Sequence, residues 1–539
     1  MPHSFPASQD RLKGFLAGLS ITPAVLYHPP TARCYTRGEI LIDFEAVIGL
    51  EVHAQLLTRS KMFCSCSAAY QDASPNSHVC PVCLGMPGTL PVINRQAVES
   101  TVMTGLALNC TINPHSKFDR KNYPYPDLMK GYQISQYDQP LCIGGWLTID
   151  PMSPLPLGEG QDEDVTKKAG ITRVHLEEDT AKLSHHANGG EGYSLVDVNR
   201  SGVPLMEIVG EPDLRSSEDA WQYLVKLRRI LQYLGVSSGN LEEGNFRCDA
   251  NVSIRPKGAT EFGTKVEVKN MNSFRAVRRA IEFELKRQQE VLESGGRIVQ
   301  ETRGWVETRG ETASQRSKEQ AHDYRYFPEP DLPPMAIDPA WVETLMSRLP
   351  ELPDAKRDRF VRDYGLPGYD ARVLTETPAT AAFFESTVGA RAPAKSVSNW
   401  CVNELFRLLN ATNTDIEHAK VTPGGLAQLI ETVESGKISG ATGKAVLEEM
   451  FNTGQDPMEI VQAKGLLQIS GTDELAEIVA QVIEANPQPV ADYRSGKQQA
   501  AGFLVGQVMR QTRGRANPGV VAELLKVKLS SESPLPPGP

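Results

Sequence analysis

Four short stretches of the chain alternate apolar and polar residues with period two, and each carries acidic groups on or beside its polar face. In residues 48–56 the apolar set is Ile48, Leu50, Val52, Ala54 and Leu56, opposite Glu51, His53 and Gln55. In residues 246–255 Phe246, Cys248, Ala250, Val252 and Ile254 alternate with Arg247, Asp249, Asn251, Ser253 and Arg255. Residues 266–268 present Glu267 between Lys265 and Lys269, and residues 173–179 present Arg173, His175, Glu177 and Asp179 with Glu178 beside them. This period predicts half-buried strands, because successive strand side chains leave opposite faces. A solvated outer face would mix Thr, Lys and Ser without a repeated acid. One acidic face alone is more often a salt-bridged surface strand; four in one chain, one with a Glu-x-His pair, point to a metal site. Carboxylates with a single His, interleaved with Arg and Lys, suit Mg²⁺ or Mn²⁺ holding the phosphates of ATP rather than zinc.

A second metal signal is separate from the first. Cys64-x-Cys66 and Cys80-x-x-Cys83 stand thirteen residues apart. In Cys80-Pro-Val-Cys83-Leu-Gly85 the proline stiffens the turn and the glycine lets backbone amides approach sulfur. Four thiolates so placed predict a closed tetrahedral zinc site, structural because no coordination position stays open for chemistry. The alternative is four reduced core thiols. The nine cysteines (34, 64, 66, 80, 83, 110, 142, 248, 401) are an odd number, which favours reduced thiols over a disulfide framework.

At 539 residues the chain exceeds what one core supports, so two to four domains are expected. No apolar run has the length of a membrane span. The net charge of −10 argues against wholesale coating of nucleic acid, though not against a local basic patch. Residues 42–270 read as strand-rich with two helices in or just after them. Ser216 with Asp219 forms an N-cap pair before Trp221, Leu224, Leu227, Leu231 and Leu234, stopped by Gly235; Ser273 opens a second helix through Phe274, Val277, Ile281 and Leu285, ending before Gly295-Gly296. The Pro-dense residues 327–334 read as a junction, after which the pattern is helical in 397–409, 426–433 and 474–485. Residues 494–529 carry Arg494, Lys497, Arg510, Arg513, Arg515, Lys526 and Lys528 against the single acid Glu523. The expected fold class is therefore α+β: a strand-rich catalytic body over 42–300, a helical domain over 301–405 and a helical tail over 406–535. Residues 1–41 are expected to be a disordered extension or translated upstream sequence, with an organelle transit peptide as the alternative.

There is no Walker A loop, no Gly-x-Gly-x-x-Gly after a strand, no Gly-x-Ser-x-Gly elbow, and no Cys–His nucleophile pair outside the cysteine cluster. Any glutamine hydrolysis must come from another chain. Residues 117–127 mix three cations, two acids and three aromatics in a loop pinned by prolines, which reads either as a surface loop or as the lining of a polar passage. Arg200 and Arg247 are candidate phosphate or carboxylate clamps on chemistry alone, with Lys269 a third cation for the nucleotide.

Long segments carry a resemblance. Val47-Ile-Gly-Leu-Glu-Val-His53, Lys117-Phe-Asp-Arg-Lys-Asn-Tyr123, Tyr132-Gln-Ile-Ser-Gln136 and His175-Leu-Glu-Glu-Asp179 resemble the B subunit of the tRNA-dependent amidotransferases. So do residues 196–209, Arg247-Cys-Asp-Ala-Asn251, residues 323–330, Gly502-Phe-Leu-Val-Gly-Gln507 and Ala516-Asn-Pro518, in order over about 42–529. The resemblance implies a cradle-like catalytic domain followed by a helical domain and a tRNA-holding tail. It implies a heterotrimer completed by two partners, an amidase and a small third polypeptide. The implied substrate is a misacylated tRNA, Glu-tRNA(Gln) or Asp-tRNA(Asn). ATP and Mg²⁺ would phosphorylate the side-chain carboxylate, and ammonia channelled from the amidase would displace the phosphate.

Carried over by motif, Glu51 and His53 resemble the family's metal ligands, together with a Glu from Glu177-Glu178. Strict alternation favours Glu177 and the resemblance Glu178, so both stand. Asp249 and Glu267 would complete the acidic site, and Lys121 with Asp119 would lie on the ammonia path. The cysteine cluster varies in the family; all four are present here. The basic stretch 494–529 fits tRNA backbone binding or an ordinary solvated helical face. A bacterial-type cytoplasmic location is expected, with mitochondrion or plastid as the alternative. Two rival functions remain, a tRNA-holding scaffold without chemistry and a ligase acting on a free amino acid. The joint presence of Glu51, His53, Asp249 and Glu267 argues against the first, and the basic stretch against the second.

Overall fold

The alternating stretches become strands of one mixed sheet, and their period decides which side chains share a face. The strands are β1 (Phe44–Gln55), β2 (Lys167–Glu178), β3 (Pro204–Gly210), β4 (Phe246–Pro256) and β5 (Val266–Lys269). Two later strands extend the sheet, β6 (Thr302–Val306) and β7 (Glu311–Ser314). This computed structural model describes residues 43–149, 166–186, 192–315, 324–468, 472–512 and 514–531. The expected extension 1–41, Asp323 of the 323–330 motif, Arg513 of the basic stretch and residues 532–535 of the tail lie outside the described residues.

The sheet order is β7-β6-β5-β4-β1-β3-β2, continued by Cys142–Ile143 and Thr111–Ile112, with Trp146–Ile149 also paired to β2. The central pairs are antiparallel, and only β5 and β6 among those named run parallel. A parallel pair needs a crossover, and helix Phe274–Glu293 supplies it. The register sets three cross-strand rows: Asp249, Glu51, Val209 and Arg173; Arg247, His53, Glu207 and His175; then Gln55, Leu205 and Glu177. Every one of these residues is odd-numbered, as are Asn251 and Glu267, which pair across β4 and β5. The even-numbered partners Leu50, Val52, Met206, Ile208, Ala250, Val252, Val266 and Val268 are buried in the first core.

Helices close that core. In chain order they are α1 (Arg95–Ala107), α2 (Ser217–Tyr233) and α3 (Phe274–Glu293). Ser216 accepts the Asp219 N–H at 3.0 Å and Ser273 that of Ala276 at 3.0 Å, and Gly235 and Gly295 follow in left-handed conformations. Leu224, Leu227, Leu231, Val277 and Ile281 are inaccessible to solvent, each worth roughly 1.5–3 kcal/mol by removal from water. Helix α1 is absent from the sequence expectation. Its buried face carries Thr101 and Thr104, whose hydroxyls bond back to Ala97 and Ser100 carbonyls, so the apolar period is masked. Gly105 lets it approach the strand Cys142–Ile143, since a Cβ there would stand 2.4 Å from Cys142 Sγ.

Two expected boundaries move. Residues 301–314 are not the start of a helical domain but the edge of the sheet, because β6 is the parallel return of the β5–α3 crossover. The Pro-dense stretch is not a junction either. Phe327–Pro328 pairs with Asp119–Asn122, Met335–Ala336 pairs with His115–Ser116, and Leu332, Ile337 and Leu345 are buried in the first core. Proline is tolerated there because an edge strand leaves one side without ladder bonds. A second core, wholly helical, runs from Phe360 to Val461 and crosses the expected cut at 405/406; a third runs from Leu475 to Leu529. Within 397–409 the helix passes through a π turn at Trp400–Leu405. No described helix is long and apolar enough to cross a membrane.

Tyr233 at the end of α2 donates its hydroxyl to Thr375 O at 3.0 Å, tying the body to the helical region. Between the first two cores Arg359 bridges Glu351 (2.7 Å) and Glu385 (2.6 Å), and Lys356 contacts the same two carboxylates at 2.9 and 3.0 Å. The Arg359 hydrogen bond, against a small cost of burial and with help from Lys356, holds Glu351 down at about 2 rather than 4.5. A depressed carboxylate contributes stability above its unfolded value and loses it as pH falls through the folded one. Glu351→Gln should therefore lower stability near pH 7 by no more than about 1 kcal/mol, solvent screening the half-exposed cluster. The difference from wild type should fade as pH falls from 4.5 to about 2. Denaturation midpoints at several pH values check this, and a difference independent of pH would contradict it.

Candidate metal and nucleotide site

The odd-numbered face of the sheet lines two adjoining cavities. One of about 270 Å³ holds Glu51, His53, Arg173, Glu207 and Glu267 together with Tyr137, Tyr324 and Tyr326. The other, about 360 Å³, holds Glu177, Asp179 and Arg247, and the two share His53, Lys121, Asp249 and Lys269.

His53, Glu177 and Glu207 each offer a ligand atom, all within 4.8 Å of one another. His53 Nε2 stands 3.7 Å from Glu177 and 3.6 Å from Glu207, and His175 Nε2 reaches the same Glu207 oxygen at 3.2 Å. Burial works against protonation of His53, but the hydrogen bond and charge of Glu207, with Glu177 behind them, lift it to about 9. Glu207 itself, despite burial, is held well below the usual range by the two histidines. A half-buried imidazole drawn towards its protonated form in this way sits where negative charge is in excess. A divalent cation would satisfy the same charge, so the donor set of one imidazole and two carboxylates fits Mg²⁺ or Mn²⁺.

The structure sorts the expected site residues. Glu51 lies on the same face, one row from His53 and Glu207 and two from Glu177, and accepts from Asn251 Nδ2 at 2.9 Å. Burial first, then the charges of Glu207, Asp249 and Glu267, raise its pKa above the ordinary carboxylate value. Lys269 joins Asp249 (2.8 Å) to Glu267 (3.0 Å), and Thr302 donates to Glu267 at 2.7 Å. Arg247 binds Asp179 at 2.9 Å, where Gln55 also donates at 2.7 Å. Burial alone would raise Asp179, yet Arg247, Arg200 and Gln55 keep it below its usual value. Arg200 spends its guanidinium on the carbonyls of Thr180 and Ala181, both 2.9 Å, and lines neither cavity; it shapes the turn after β2.

Glu178 is the clear departure. It points to the opposite face from Glu177, pairs with Lys130 and accepts the Ile134 N–H at 3.0 Å. Of the two glutamates kept open, the structure brings Glu177, the one strand alternation favours, to the His53–Glu207 group. Lys121 lines both cavities, its ammonium 5.1 Å from the Tyr324 ring centre, whereas Asp119 is buried beneath Lys117 and lines neither. Glu207 is missed by the sequence analysis. Its signal is a lone acid inside the apolar run Leu205–Met206–Ile208–Val209, and in a buried strand such an acid must be paired. Around the cavities Arg173 Nε and Arg247 Nε are buried without a hydrogen-bond partner, which leaves guanidinium donors for an anionic ligand.

The four knuckle cysteines also converge, with one Sγ from each of Cys64, Cys66, Cys80 and Cys83 within 4.8 Å of the others. The Cys80 N–H points at Cys83 Sγ at 3.1 Å. A hydrogen bond from Cys64 outweighs burial, with Lys61 nearby, and draws the Cys83 thiol down to about 4, while Cys64 is pushed up. Gly85 takes φ +67°, and a Cβ there would stand 2.4 Å from Lys130 Cγ, so the knuckle needs glycine to sit against the Glu178–Lys130 pair. This thiolate set fits tetrahedral zinc.

Residues 46–343 match the GatB/GatE catalytic domain and residues 382–529 the GatB domain. The chain is 57% identical over 488 residues to a protein of Moorella thermoacetica named as the B subunit of an aspartyl/glutamyl-tRNA(Asn/Gln) amidotransferase, covering 90% of this chain and 100% of that one. Proteins of the same name from Dehalococcoides mccartyi and Caldanaerobacter subterraneus are each 55% identical, over 500 and 489 residues. Each alignment covers 91% of this chain, and 99% and 100% of the relative respectively.

Proposed function

The chain belongs to the GatB/GatE family, as a relative of the aspartyl/glutamyl-tRNA(Asn/Gln) amidotransferase B subunits, and from that premise we propose that it carries the ATP-dependent step of tRNA amidation. The substrates are Glu-tRNA(Gln), Asp-tRNA(Asn) or both. The observation that carries the reading is the convergence of His53, Glu177 and Glu207 beside the paired charges of Lys269, Asp249 and Glu267 and the unpartnered Arg173 and Arg247 nitrogens. A carboxylate is a poor electrophile towards ammonia, so the reaction needs a leaving group. A side-chain carboxylate oxygen attacks the γ-phosphorus of ATP, the bond to the β,γ-bridging oxygen breaks, and ADP leaves. Ammonia then attacks the acyl carbon, the bond to the phosphate oxygen breaks, and the amide forms with release of phosphate and a proton.

Phosphoryl transfer asks the protein for position and charge neutralisation rather than a nucleophile. His53, Glu177 and Glu207 would hold Mg²⁺, which when bound neutralises phosphate charge. Arg173, Arg247 and Lys269 offer cationic donors to phosphate or carboxylate oxygens. Glu51, held by Asn251, sets the charge at the floor of the cavity. Lys121, which lines both cavities, would stand beside ammonia from a partner amidase as it reaches the activated carbonyl. The basic helices of the last core would bind the tRNA backbone, and the amidase and the small third polypeptide complete a heterotrimer. Cys64, Cys66, Cys80 and Cys83 would hold a structural zinc.

Co-expressed with its partners, the protein should transfer label from γ-labelled ATP to Glu-tRNA(Gln) without glutamine. Glu207→Gln should reduce that transfer by at least about 100-fold, the scale of losing one electrostatic partner of a phosphoryl group; Glu178→Gln should reduce it far less. Tight tRNA binding without any label transfer by wild type would leave a scaffold and refute the kinase reading. Elemental analysis should find one zinc per chain, lost in Cys83→Ser; a metal content unaffected by that change would refute the zinc assignment.

A further inference from the structure

One edge of the cavity that holds His53 and Glu207 is aromatic, and nothing in the phosphoryl chemistry uses it. Tyr137 and Tyr326 lie face to face, ring centres 4.1 Å apart and planes within 7°. Tyr324 meets Tyr326 edge-on at 6.0 Å, and all three line the cavity that holds His53, Glu207 and Lys269. Tyr137 is 55% exposed, so much of the residue is open to a ligand.

The plate is built rather than incidental. The Tyr137 N–H donates to Asp119 Oδ2 at 3.2 Å, and Asp119 is 1% exposed and neutralised by Lys117. On the other side Arg325, between the two tyrosines, has φ +44°, a left-handed conformation unusual for a residue with a Cβ. Asn122 holds that turn, its N–H on Tyr324 O at 2.9 Å and its Nδ2 on Arg325 O at 2.9 Å. Strained backbone kept in place by dedicated hydrogen bonds beside a site points to a role for what it presents.

Resting on the function proposed above, we propose that the Tyr137–Tyr326 pair is the stacking platform for an adenine ring whose attached phosphates or aminoacyl group reach towards His53 and Glu207. The amino-acid side chain and ammonia are small and polar and gain nothing from a two-ring plate. A purine has broad apolar faces, and stacking on an aromatic ring is how proteins hold one. The substrates bring adenine from two sources, ATP and the terminal adenosine that carries the amino acid. Asp119 becomes a positioning residue, acting through Tyr137.

The test uses the assembled complex with ATP and Glu-tRNA(Gln), comparing wild type, Tyr137→Leu and Tyr137→Phe. Tyr137→Leu should raise one KM about 10-fold, the scale of one lost base stack, with kcat within about twofold; Tyr137→Phe, which keeps the ring, should match wild type. A raised KM for ATP assigns the adenine to the nucleotide, and a raised KM for the aminoacyl-tRNA assigns it to the terminal adenosine. Binding of ethenoadenosine triphosphate and of tRNA ending in ethenoadenosine, read by fluorescence quenching, gives a second readout: quenching of one should vanish in Tyr137→Leu and persist in Tyr137→Phe. Unmoved KM values and quenching in Tyr137→Leu, or equal impairment in Tyr137→Phe, would overturn the platform. A wild-type complex that makes no amidated tRNA would instead overturn the function beneath it.

Discussion

The register between β4, β1, β3 and β2 is the constraint on which the site depends. Residues in these strands pair so that His53 faces Glu207 and Glu207 faces His175, while Asp249 faces Glu51 one row away. A slip of one residue in any pair would turn its charges into the core and its valines and leucines into the cavity. The buried even-numbered set under α2 and α3 fixes the register, because every such slip would expose apolar surface worth several kcal/mol. Packing on one face therefore positions chemistry on the other.

Charge on the polar face is arranged in two zones. Around Asp179, Asp249 and Glu267 the acids meet Arg247, Arg200 and Lys269 and are neutralised. Around Glu207 the closest partners are the imidazoles of His53 and His175, with the Lys121 ammonium acting from further off, and His53 is driven towards its charged form. A cation would relieve that imbalance, and it would do so beside guanidinium nitrogens of Arg173 and Arg247 that have no partner. The cysteine knuckle lies against the other side of β2, through the contact of Gly85 with Lys130 and of Lys130 with Glu178. The two consecutive glutamates thus serve different tasks, Glu177 in the cavity and Glu178 in bracing the knuckle.

Much of this was legible in the sequence where one local rule dominates. Period-two alternation located the four strands and favoured Glu177 over Glu178, and Ser–Asp and Ser–Ala capping with terminal glycines bounded α2 and α3. Cysteine spacing located the knuckle. What escaped depends on partners distant in sequence. Helix α1 hides its buried face behind threonines that satisfy themselves on its own backbone. The strap 327–337 looks like a breaker by composition yet pairs with the far earlier strands at 115–116 and 119–122. Glu207 gains its meaning only from His53 and His175 on the neighbouring strands, which no single-strand pattern contains.

The central claim is that the odd-numbered face forms one divalent-cation site. The most direct measurement is a crystal structure of the assembled complex grown with Mn²⁺ and a non-hydrolysable ATP analogue, with anomalous scattering recorded above the manganese edge. The account predicts a peak within bonding distance of His53, Glu177 and Glu207, with the analogue's phosphates on its open side. A peak bound through Glu178, or a well-ordered nucleotide elsewhere with this cluster empty, would contradict it.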